Sequence, residues 1–320
     1  MGLQIAPEVA IELGPVMAAA ALAEPPAVGD VATRRLISRL LFEQLAAARP
    51  PVAGVQVQKR SLTTGDGAQL GLSWYHPADS AAPGGVVLYL HGGGMIFGLS
   101  ELGALYDAAV RAYVAASGVP MLMVDYRTAP EFPHPAPVED CYAALVWLAR
   151  HADSLPADPA RLAVMGDSAG GGLAAAVCLL CRDRGGPAIA QQLLIYPMLD
   201  DRTSAPDAEL LPFLTWTHDD NLTGWGALLG EHAGTADVAP YAAPARATDL
   251  SGLPAAYLDV GDLDLFRDED IAYARRLADA GVQTELHVHP GCPHAFEALA
   301  PNADVSRRAI ADRVRRLRAL

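Results

Sequence analysis

Residues Leu162 to Val177 read LAVMGDSAGGGLAAAV. A short apolar run enters this stretch, an alanine-rich run leaves it, and Gly166-Asp167-Ser168-Ala169-Gly170 lies between them. A glycine inside a helix costs about 1 kcal/mol relative to alanine, so three consecutive glycines at a helix start indicate a backbone that must stay bare. The pattern predicts a strand, a sharp turn and a helix, in the Gly-x-Ser-x-Gly arrangement that makes a serine protrude at the edge of a sheet.

Short continuous apolar runs recur along the chain and alternate with helical stretches. Such runs are typical of strands buried on both faces, and their alternation with helices predicts a mainly parallel sheet. An antiparallel hairpin around the turn TTGDG, from Val55 to Tyr75, precedes them. The hairpin and the runs together predict an α/β fold with eight strands. The runs are Val86–Leu90, Met121–Val124, Leu162–Met165, Leu193–Tyr196, Ala255–Val260 and Leu286–Val288.

Other segments are predicted to lie outside the sheet. Val31–Ala48 carries leucines at helical spacing and ends before two prolines, which predicts an amphipathic helix. Asp200–Gly234 is rich in Trp, Pro and Asp without a strand pattern, so we expect an insertion on the sheet. Near the C-terminus Ile310, Val314 and Leu317 form a stripe among arginines, which favours a helix packed on the body over an anion-binding site.

The composition limits the classes of partner. A formal net charge of −14 and an isoelectric point near 4.9 repel phosphate backbones and anionic lipids, so we expect neither nucleic acid nor a membrane surface as partner. No apolar run approaches the roughly 20 residues that span a bilayer. The first apolar stretch has no Lys or Arg before it and is interrupted by Glu8 and Glu12, which makes it a poor secretory signal. We therefore expect a cytoplasmic protein.

Polar or glycine-rich loops follow five of the predicted strands, at the carboxyl ends where ligand sites gather in open α/β sheets. They are HGGG after Leu90, DYRTAPE after Val124, GDSAG after Met165, GDLDLFRDE after Val260 and PGCPHAF after His289. A serine hydroxyl becomes a nucleophile when a base takes its proton and a carboxylate orients that base. In folds of this kind the order along the chain is Ser, Asp or Glu, then His, and the sequence supplies all three.

Three histidines compete for the role of base to Ser168. His287 and His289 lie two apart on a predicted strand and suggest a metal cluster, but only a reactive serine explains the other loops as well. His294 lies in the loop beyond the strand, from which it can reach above the sheet, so we assign the base to His294. Cys178 and Cys181 form one Cys-x-x-Cys pair in an apolar helical run, and without a second pair we expect no metal.

The acid and the oxyanion site follow from two more loops. Asp268 is expected to begin the next helix, where negative charge is favoured, and spacing leaves the choice between Asp262 and Asp264 open. In HGGG, backbone N–H groups can approach developing negative charge because no side chain stands in the way. The three expected donors are the N–H groups of Gly93, Gly94 and Ala169. A phosphate-binding loop would need a following Lys or a Gly-x-Gly-x-x-Gly pattern, and neither is present.

The five motifs, in this order, resemble those of the bacterial hormone-sensitive-lipase-like esterases, the family IV lipolytic enzymes of the α/β-hydrolase superfamily. The resemblance covers most of the chain from about Val55 onward. It implies hydrolysis of carboxylic esters with short to medium acyl chains, without cofactor or metal. It also implies that the acid is the first Asp of the D-x-L/F-R-D-E motif, here Asp264, which decides between the two aspartates.

The same resemblance implies a helical cap over the catalytic domain. Its parts would be N-terminal helices within Pro7–Ala48 and the segment Asp200–Gly234, so the expected division is 1–50 for cap helices and 51–320 for the catalytic domain with an insertion at about 200–234. The candidate pocket residues are Met95, Ile96, Phe97, Phe213, Leu214, Trp216 and Trp225, each of which could instead pack within the cap.

Several positions depart from the family pattern. Met95 stands where an aromatic residue often follows HGGG, which leaves the acyl or alcohol preference open. Leu265 replaces a common proline and Ala295 replaces the usual glycine before Phe296, and both leave the triad chemistry untouched. In DYRTAPE, a family motif, Asp125, Tyr126, Arg127 and Glu131 are expected to organise loops through ion pairs and hydrogen bonds.

Two other functions stay open at this stage. One is a receptor for a small apolar carboxylate on the same fold, although the plant hormone receptors that resemble this family lack the histidine that His294 supplies. The other keeps the same chemistry with an amide, lactone or carbonate as substrate, since the pocket and not the fold sets the substrate. The expected partner is a small-molecule ester, and the chain is expected to be a monomer or a homodimer, because a last strand near Leu286–Val288 can pair between subunits.

Overall fold

The computed structural model describes residues 2–20, 22–79, 84–155, 157–205 and 207–320. The strands within these ranges form one eight-stranded sheet, and helices pack against it. The strands are β1 (Val55–Thr63), β2 (Gln69–Pro77), β3 (Gly84–Leu90), β4 (Met121–Val124), β5 (Ala157–Asp167), β6 (Gln191–Ile195), β7 (Ala255–Gly261) and β8 (Thr284–His289).

The α-helices of the described residues connect these strands or flank them. They are α1 (Pro7–Ala20), α2 (Val31–Ala47), α3 (Leu99–Ser117), α4 (Ala136–Arg150), α5 (Ala169–Arg184), α6 (His218–Leu229), α7 (Arg267–Asp279), α8 (Phe296–Leu299) and α9 (Asp304–Arg318). Single 3-10 turns occur at Ala152–Ser154, Leu211–Phe213, Gly230–His232 and Pro244–Arg246. Helix α5 packs on β5 and β6, α7 packs on β7 and β8, and α9 packs on α3.

The strand order places the predicted loops at one edge of the sheet. That order is β1-β2-β4-β3-β5-β6-β7-β8. β2 runs antiparallel to both β1 and β4, and every other neighbouring pair is parallel. Because parallel strands end at the same edge, the loops that follow β3, β4, β5, β7 and β8 all begin there.

The predicted α/β fold with an eight-stranded, mostly parallel sheet is confirmed. The hairpin is β1 and β2, and the apolar runs lie in β3 to β8, with Tyr196 one residue beyond the end of β6. The strand bounds differ most at β5, which begins at Ala157, five residues before the apolar run at Leu162. The extra residues at its start are mostly polar or exposed, so an apolar pattern does not reveal them.

Helix α2 confirms the predicted helix of Val31–Ala48, but its apolar stripe is only partly buried. Leu36, Ile37 and Leu40 are 50%, 46% and 54% exposed. The helix packs mainly against α3, and Ile37 lies at a cavity described below. Helical spacing shows that an apolar stripe exists, but it does not show what covers the stripe.

Close backbone contacts surround the turn between β5 and α5. A Cβ atom added to Gly166 would lie 2.2 Å from the carbonyl oxygen of Gly170, and one added to Gly170 would lie 2.1 Å from that of Leu90. Real Cβ atoms do not approach other atoms so closely, so both positions need glycine. The bare backbone expected from the sequence therefore lets α5 begin directly against β3 and β5.

We predict that Gly170→Ala destabilises the fold by about 3 kcal/mol or more, because the new methyl group meets backbone atoms that cannot rotate away. Gly226→Ala is the matched control, because Gly226 lies in helix α6 with open space around its Cα. It should leave stability unchanged or raise it by up to about 1 kcal/mol. Urea unfolding followed by circular dichroism measures both, and equal midpoints would contradict the close contact.

Candidate active site

Ser168 lies at the end of β5, where the chain turns sharply into α5. Its backbone has φ 54° and ψ −123°, an unusual conformation for a residue with a side chain. Its N–H donates to the carbonyl oxygen of Ile195, and its own carbonyl oxygen accepts from the N–H groups of Gly172 and Met198. These bonds hold the strained conformation in place, so the hydroxyl is presented in one direction.

His294 lies in the loop after β8 and bridges Ser168 to a buried carboxylate. Its Nε2 is 3.0 Å from Ser168 Oγ, and its Nδ1 is 2.7 Å from Asp264 Oδ2. All three side chains are more than nine-tenths buried. An ionised carboxylate can only accept a hydrogen bond, so Nδ1 of His294 carries the hydrogen and donates it to Asp264. Nε2 is then the acceptor that can take the proton of the serine hydroxyl.

Two aspartates of one loop have different partners. Asp264 Oδ2 faces His294, and Asp264 Oδ1 accepts from the N–H of Phe266 at 2.9 Å. Asp262 instead accepts from the N–H of Gly291 at 2.6 Å, which ties its loop to the backbone after β8. Of the two aspartates left open by spacing, Asp264 is therefore the one that contacts the imidazole, while Asp262 contacts the backbone of the histidine loop.

Aromatic rings fix the orientation of the imidazole. The ring of Tyr196 meets that of His294 edge-on at 4.7 Å, and the ring of Phe266 does so at 5.1 Å. Tyr196 itself has φ 32° and Ala295 has φ 56°, which places both in left-handed backbone conformations. The left-handed turn at Ala295 gives a physical reason for the glycine that is usual there, because glycine adopts this conformation without strain.

The HGGG loop runs beside Ser168 in three consecutive left-handed residues. Gly93, Gly94 and Met95 have φ 118°, 57° and 66°. The backbone N–H groups of Ile96 and Phe97 close the turn onto the carbonyl oxygen of Gly93. In the described part of the chain, the N–H groups of Gly93 and Gly94 donate to no protein acceptor. Both groups therefore stay available to a ligand in the cavity that they share with Ser168.

Helix α2 holds this loop from outside. Arg35 donates to the carbonyl oxygens of Ile96 at 2.8 Å and Ala129 at 3.0 Å, and it forms a two-point ion pair with Glu131 at 2.6 and 2.7 Å. Tyr126 O–H donates to the carbonyl oxygen of His91 at 2.7 Å. These contacts agree with the expectation that the DYRTAPE residues organise loops.

Arg127, of the same motif, has carboxylate partners of its own. It donates to Asp140 at 2.7 and 2.9 Å and pairs with Asp66 at 2.8 Å. The latter contact joins the turn between β1 and β2 to the loop after β4.

Comparison with known proteins agrees with this geometry. A family model described as alpha/beta hydrolase fold matches residues 87–298. The esterase LipI of Mycobacterium tuberculosis is 39% identical over 231 residues, which are 70% of this chain and 68% of that protein. The carboxylesterase NlhH of the same organism is 37% identical over 227 residues, 67% of each chain. The chain belongs to the hormone-sensitive-lipase-like esterases of the α/β-hydrolase superfamily.

A solved structure extends the similarity to nearly the whole chain of this esterase. The structure titled Bacterial Heroin Esterase is 36% identical and superposes with a TM-score of 0.87, covering 99% of this chain and 98% of its own. The family resemblance inferred from the five motifs is confirmed, and the protein is a carboxylic ester hydrolase.

The cavity of the esterase contains some of the expected pocket residues and lacks others. It has a volume of about 630 Å³ and includes Ser168, His294 and both loop glycines in its wall. Phe97, Leu214 and Trp216 line it as expected. Met95, Ile96, Phe213 and Trp225 do not appear among the described residues that line it.

The left-handed turn explains why Met95 and Ile96 do not line the cavity. At Met95 the chain reverses after the two glycines, and the side chains of Met95 and Ile96 enter the hydrophobic core, where they are 1% and 0% exposed. Sequence proximity to HGGG did not reveal this reversal. Unexpected contributions come instead from α1 and α2, through Leu13, Met17 and Phe42.

Trp216 also packs on the HGGG loop. A Cβ atom on Gly94 would lie 2.2 Å from its indole ring, so the insertion after β6 lies directly over the loop. The Phe97 ring meets the same indole edge-on at 6.3 Å. The HGGG loop is thus enclosed between the sheet and the insertion.

The histidines that suggested a metal cluster have other neighbours. His287 Nε2 is 2.7 Å from Glu285 Oε1, and the rings of His287 and His289 stack on each other. Cys178 and Cys181 are buried in α5 and unpaired. Within the described ranges, no group of three or more His, Cys, Asp or Glu is arranged to hold a metal ion.

None of the described helices is long and apolar enough to cross a bilayer.

A buried arginine of α9 forms ion pairs with carboxylates close to the site. Arg313 is fully buried and forms a two-point ion pair with Asp259 at 2.6 and 2.9 Å. It also donates to Glu297 at 2.6 Å, and Glu297 accepts from the Tyr196 hydroxyl at 2.6 Å. Burial alone would raise the pKa of Glu297, but the guanidinium outweighs burial and holds that pKa below its ordinary value. The arginine-rich pattern alone did not predict this contact.

We predict that Arg313→Met destabilises the esterase by about 3–5 kcal/mol, because two buried carboxylates lose the cation that compensates them. Arg308→Met is the control on the same helix, where Arg308 is exposed and the change should stay within about 0.5 kcal/mol. Urea unfolding at neutral pH measures both. Similar midpoints for the two variants would show that the buried ion pairs do not stabilise the fold.

Proposed function

We propose that this esterase hydrolyses short to medium acyl esters with Ser168 as nucleophile, His294 as general base and acid, and Asp264 as the residue that orients the imidazole. The observation that carries the proposal is the bridge formed by His294, 3.0 Å from the serine oxygen and 2.7 Å from the carboxylate. Nucleophile, base and orienting acid within hydrogen-bond reach are the arrangement that acyl transfer by serine requires.

In the first half-reaction, Ser168 Oγ attacks the ester carbonyl carbon while Nε2 of His294 takes the hydroxyl proton. The tetrahedral intermediate then collapses, its bond to the alcohol oxygen breaks, and the imidazolium gives its proton to that oxygen. The alcohol leaves and the acyl group stays on Ser168. Asp264 keeps the proton of Nδ1 directed at its carboxylate and stabilises the imidazolium throughout, without being protonated itself.

In the second half-reaction water replaces the alcohol. His294 takes a proton from water as the water oxygen attacks the acyl-enzyme, and returns a proton to Ser168 Oγ as the acid leaves. The oxyanion of both intermediates would accept hydrogen bonds from the N–H groups of Gly93, Gly94 and Ala169. Each such donor typically accelerates the reaction about 10²–10³-fold. No cofactor or metal takes part in these steps.

The cavity supports an apolar acyl or alcohol group of limited length. Its wall combines Phe97, Leu214 and Trp216 with apolar side chains of α1 and α2. We propose that 1–50 and the segment at about 200–234 form a cap over the catalytic domain 51–320. Within the two cap segments, residues 1, 21 and 206 lie outside the described residues.

Oligomeric state and location are further parts of the proposal. β8 is an edge strand whose Val288 is 38% exposed, which supports a homodimer formed by strand pairing, with a monomer as the alternative. All four cysteines are unpaired and buried, which supports a reducing compartment such as the cytoplasm.

We predict that Ser168→Ala and His294→Ala each lower kcat by several orders of magnitude, up to about 10⁶-fold, on a p-nitrophenyl ester. The fold should survive, because both side chains line the cavity and are not part of the hydrophobic core. Circular dichroism checks the fold. Near-normal turnover by folded Ser168→Ala would exclude the proposed nucleophile, and no turnover by the wild-type chain on any ester from acetate to octanoate would favour the receptor.

We also predict that Asp264→Asn lowers kcat about 10⁴-fold, because an amide favours the wrong tautomer of the imidazole. Asp262→Asn is the matched control from the same loop. Its carboxylate contacts only the backbone N–H of Gly291 among its described hydrogen bonds, so its loss should be below about tenfold. A larger loss for Asp262→Asn would assign the orienting role to the other aspartate.

A series of p-nitrophenyl esters tests the length of the cavity. Each methylene that the cavity covers contributes about 0.8 kcal/mol, so kcat/KM should rise from acetate to butyrate or hexanoate. Beyond the end of the cavity the gain stops, so kcat/KM for palmitate should not exceed the maximum reached by the shorter esters. Matched lactone, amide and carbonate substrates identify the bond cleaved, and a higher kcat/KM on any of these would replace the ester.

A further inference from the structure

Asp167 is a buried carboxylate that the proposed mechanism does not use. It directly precedes Ser168, is 9% exposed and lines the same cavity. Burial raises its pKa to about 6, so it is ionised at the mildly alkaline pH of an ester assay. A buried negative charge is costly, and beside a developing oxyanion it is also repulsive. Its place next to the nucleophile therefore needs a reason.

Two tyrosine hydroxyls donate to this carboxylate. Tyr89 of β3 donates to Oδ1 at 2.9 Å, and Tyr106 of α3 donates to Oδ2 at 2.5 Å. The two tyrosines differ in one further contact. The Tyr106 oxygen also accepts from the backbone N–H of Gly92 at 2.7 Å. A chain of hydrogen bonds thus runs from the turn of Ser168 through Tyr106 into the HGGG loop.

Gly92 is the residue through which this chain can act on the oxyanion site. Its peptide group leads into Gly93, whose N–H and that of Gly94 are the proposed oxyanion donors. The far end of the turn is closed by Ile96 and Phe97 on the carbonyl oxygen of Gly93. The near end is held by Tyr106, and a Cβ atom on Gly92 would lie 2.7 Å from both the Tyr106 oxygen and Asp167 Oδ2.

We infer that Asp167 and Tyr106 are positioning residues that hold the oxyanion loop in register with the nucleophile, an inference that rests on the proposed function. The ionised carboxylate polarises the Tyr106 O–H bond, which makes the phenol oxygen a stronger acceptor for the N–H of Gly92. The same carboxylate belongs to the residue next to Ser168. The nucleophile and its oxyanion donors are therefore positioned by one hydrogen-bonded unit.

Tyr106→Phe and Tyr89→Phe form a matched pair for the test. Each removes one buried hydroxyl that donates to the same carboxylate, but only Tyr106 reaches the loop. On p-nitrophenyl butyrate at about pH 8, Tyr106→Phe should lower kcat about 10–100-fold with KM changed less than about twofold, because oxyanion donors act in the transition state. Tyr89→Phe should lower kcat less than about threefold, and it should shift the urea midpoint about as much as Tyr106→Phe does.

Asp167→Asn adds a second test of the charge. The amide keeps an acceptor for one tyrosine but loses the negative charge, so its kcat should lie between those of the wild type and Tyr106→Phe. Equal losses of kcat in both tyrosine variants would overturn the positioning role. A rise in KM with kcat unchanged in Tyr106→Phe would also overturn it. If Tyr106→Phe behaves as wild type while Ser168→Ala is inactive, the proposed function stands and only this inference fails. If Ser168→Ala keeps its activity, the proposed function fails first.

Discussion

The close approach of β5 and α5 at Ser168 is the constraint on which the site depends. Gly166 and Gly170 leave no room for a side chain, and this allows the helix to begin directly against β3 and β5. Only then does the serine adopt its left-handed backbone conformation and extend its hydroxyl into the cavity. The neighbouring parallel strands end at the same edge, so the histidine and aspartate loops reach the serine without long excursions.

Contacts from distant parts of the chain maintain this arrangement. Arg313 of the last helix compensates the carboxylates of Asp259 and Glu297, and Glu297 holds the hydroxyl of Tyr196, whose ring orients the imidazole. On the opposite side the insertion after β6 covers the glycine loop through Trp216. A fully buried ion-pair cluster tolerates little displacement, because separation of its charges in a low dielectric is costly. The geometry of the site therefore depends on contacts from distant parts of the chain.

Much of the fold follows from local sequence patterns, while several site features need tertiary information. Apolar runs and glycines are visible along the chain, which is why the strands and the turn at Ser168 were predictable. Spacing could not separate Asp262 from Asp264, because two residues in one loop differ only in which backbone or side-chain group each meets. Met95 was expected in the pocket, but its left-handed backbone carries the side chain into the core. The carboxylate partners of Arg313 lie 54 and 16 positions away, so no local pattern indicates them.

The contact between Arg35 and the glycine loop has a consequence for protein engineering. Exchange of the first helices between members of this family is an attractive way to alter substrate choice, since these helices contribute cavity wall. In this chain the exchange would also remove the guanidinium that donates to the carbonyl oxygens of Ile96 and Ala129. It would remove the ion-pair partner of Glu131 as well. A successful chimera must therefore carry an arginine at the equivalent place in the grafted helix, so that a new specificity does not arrive together with a loosened loop.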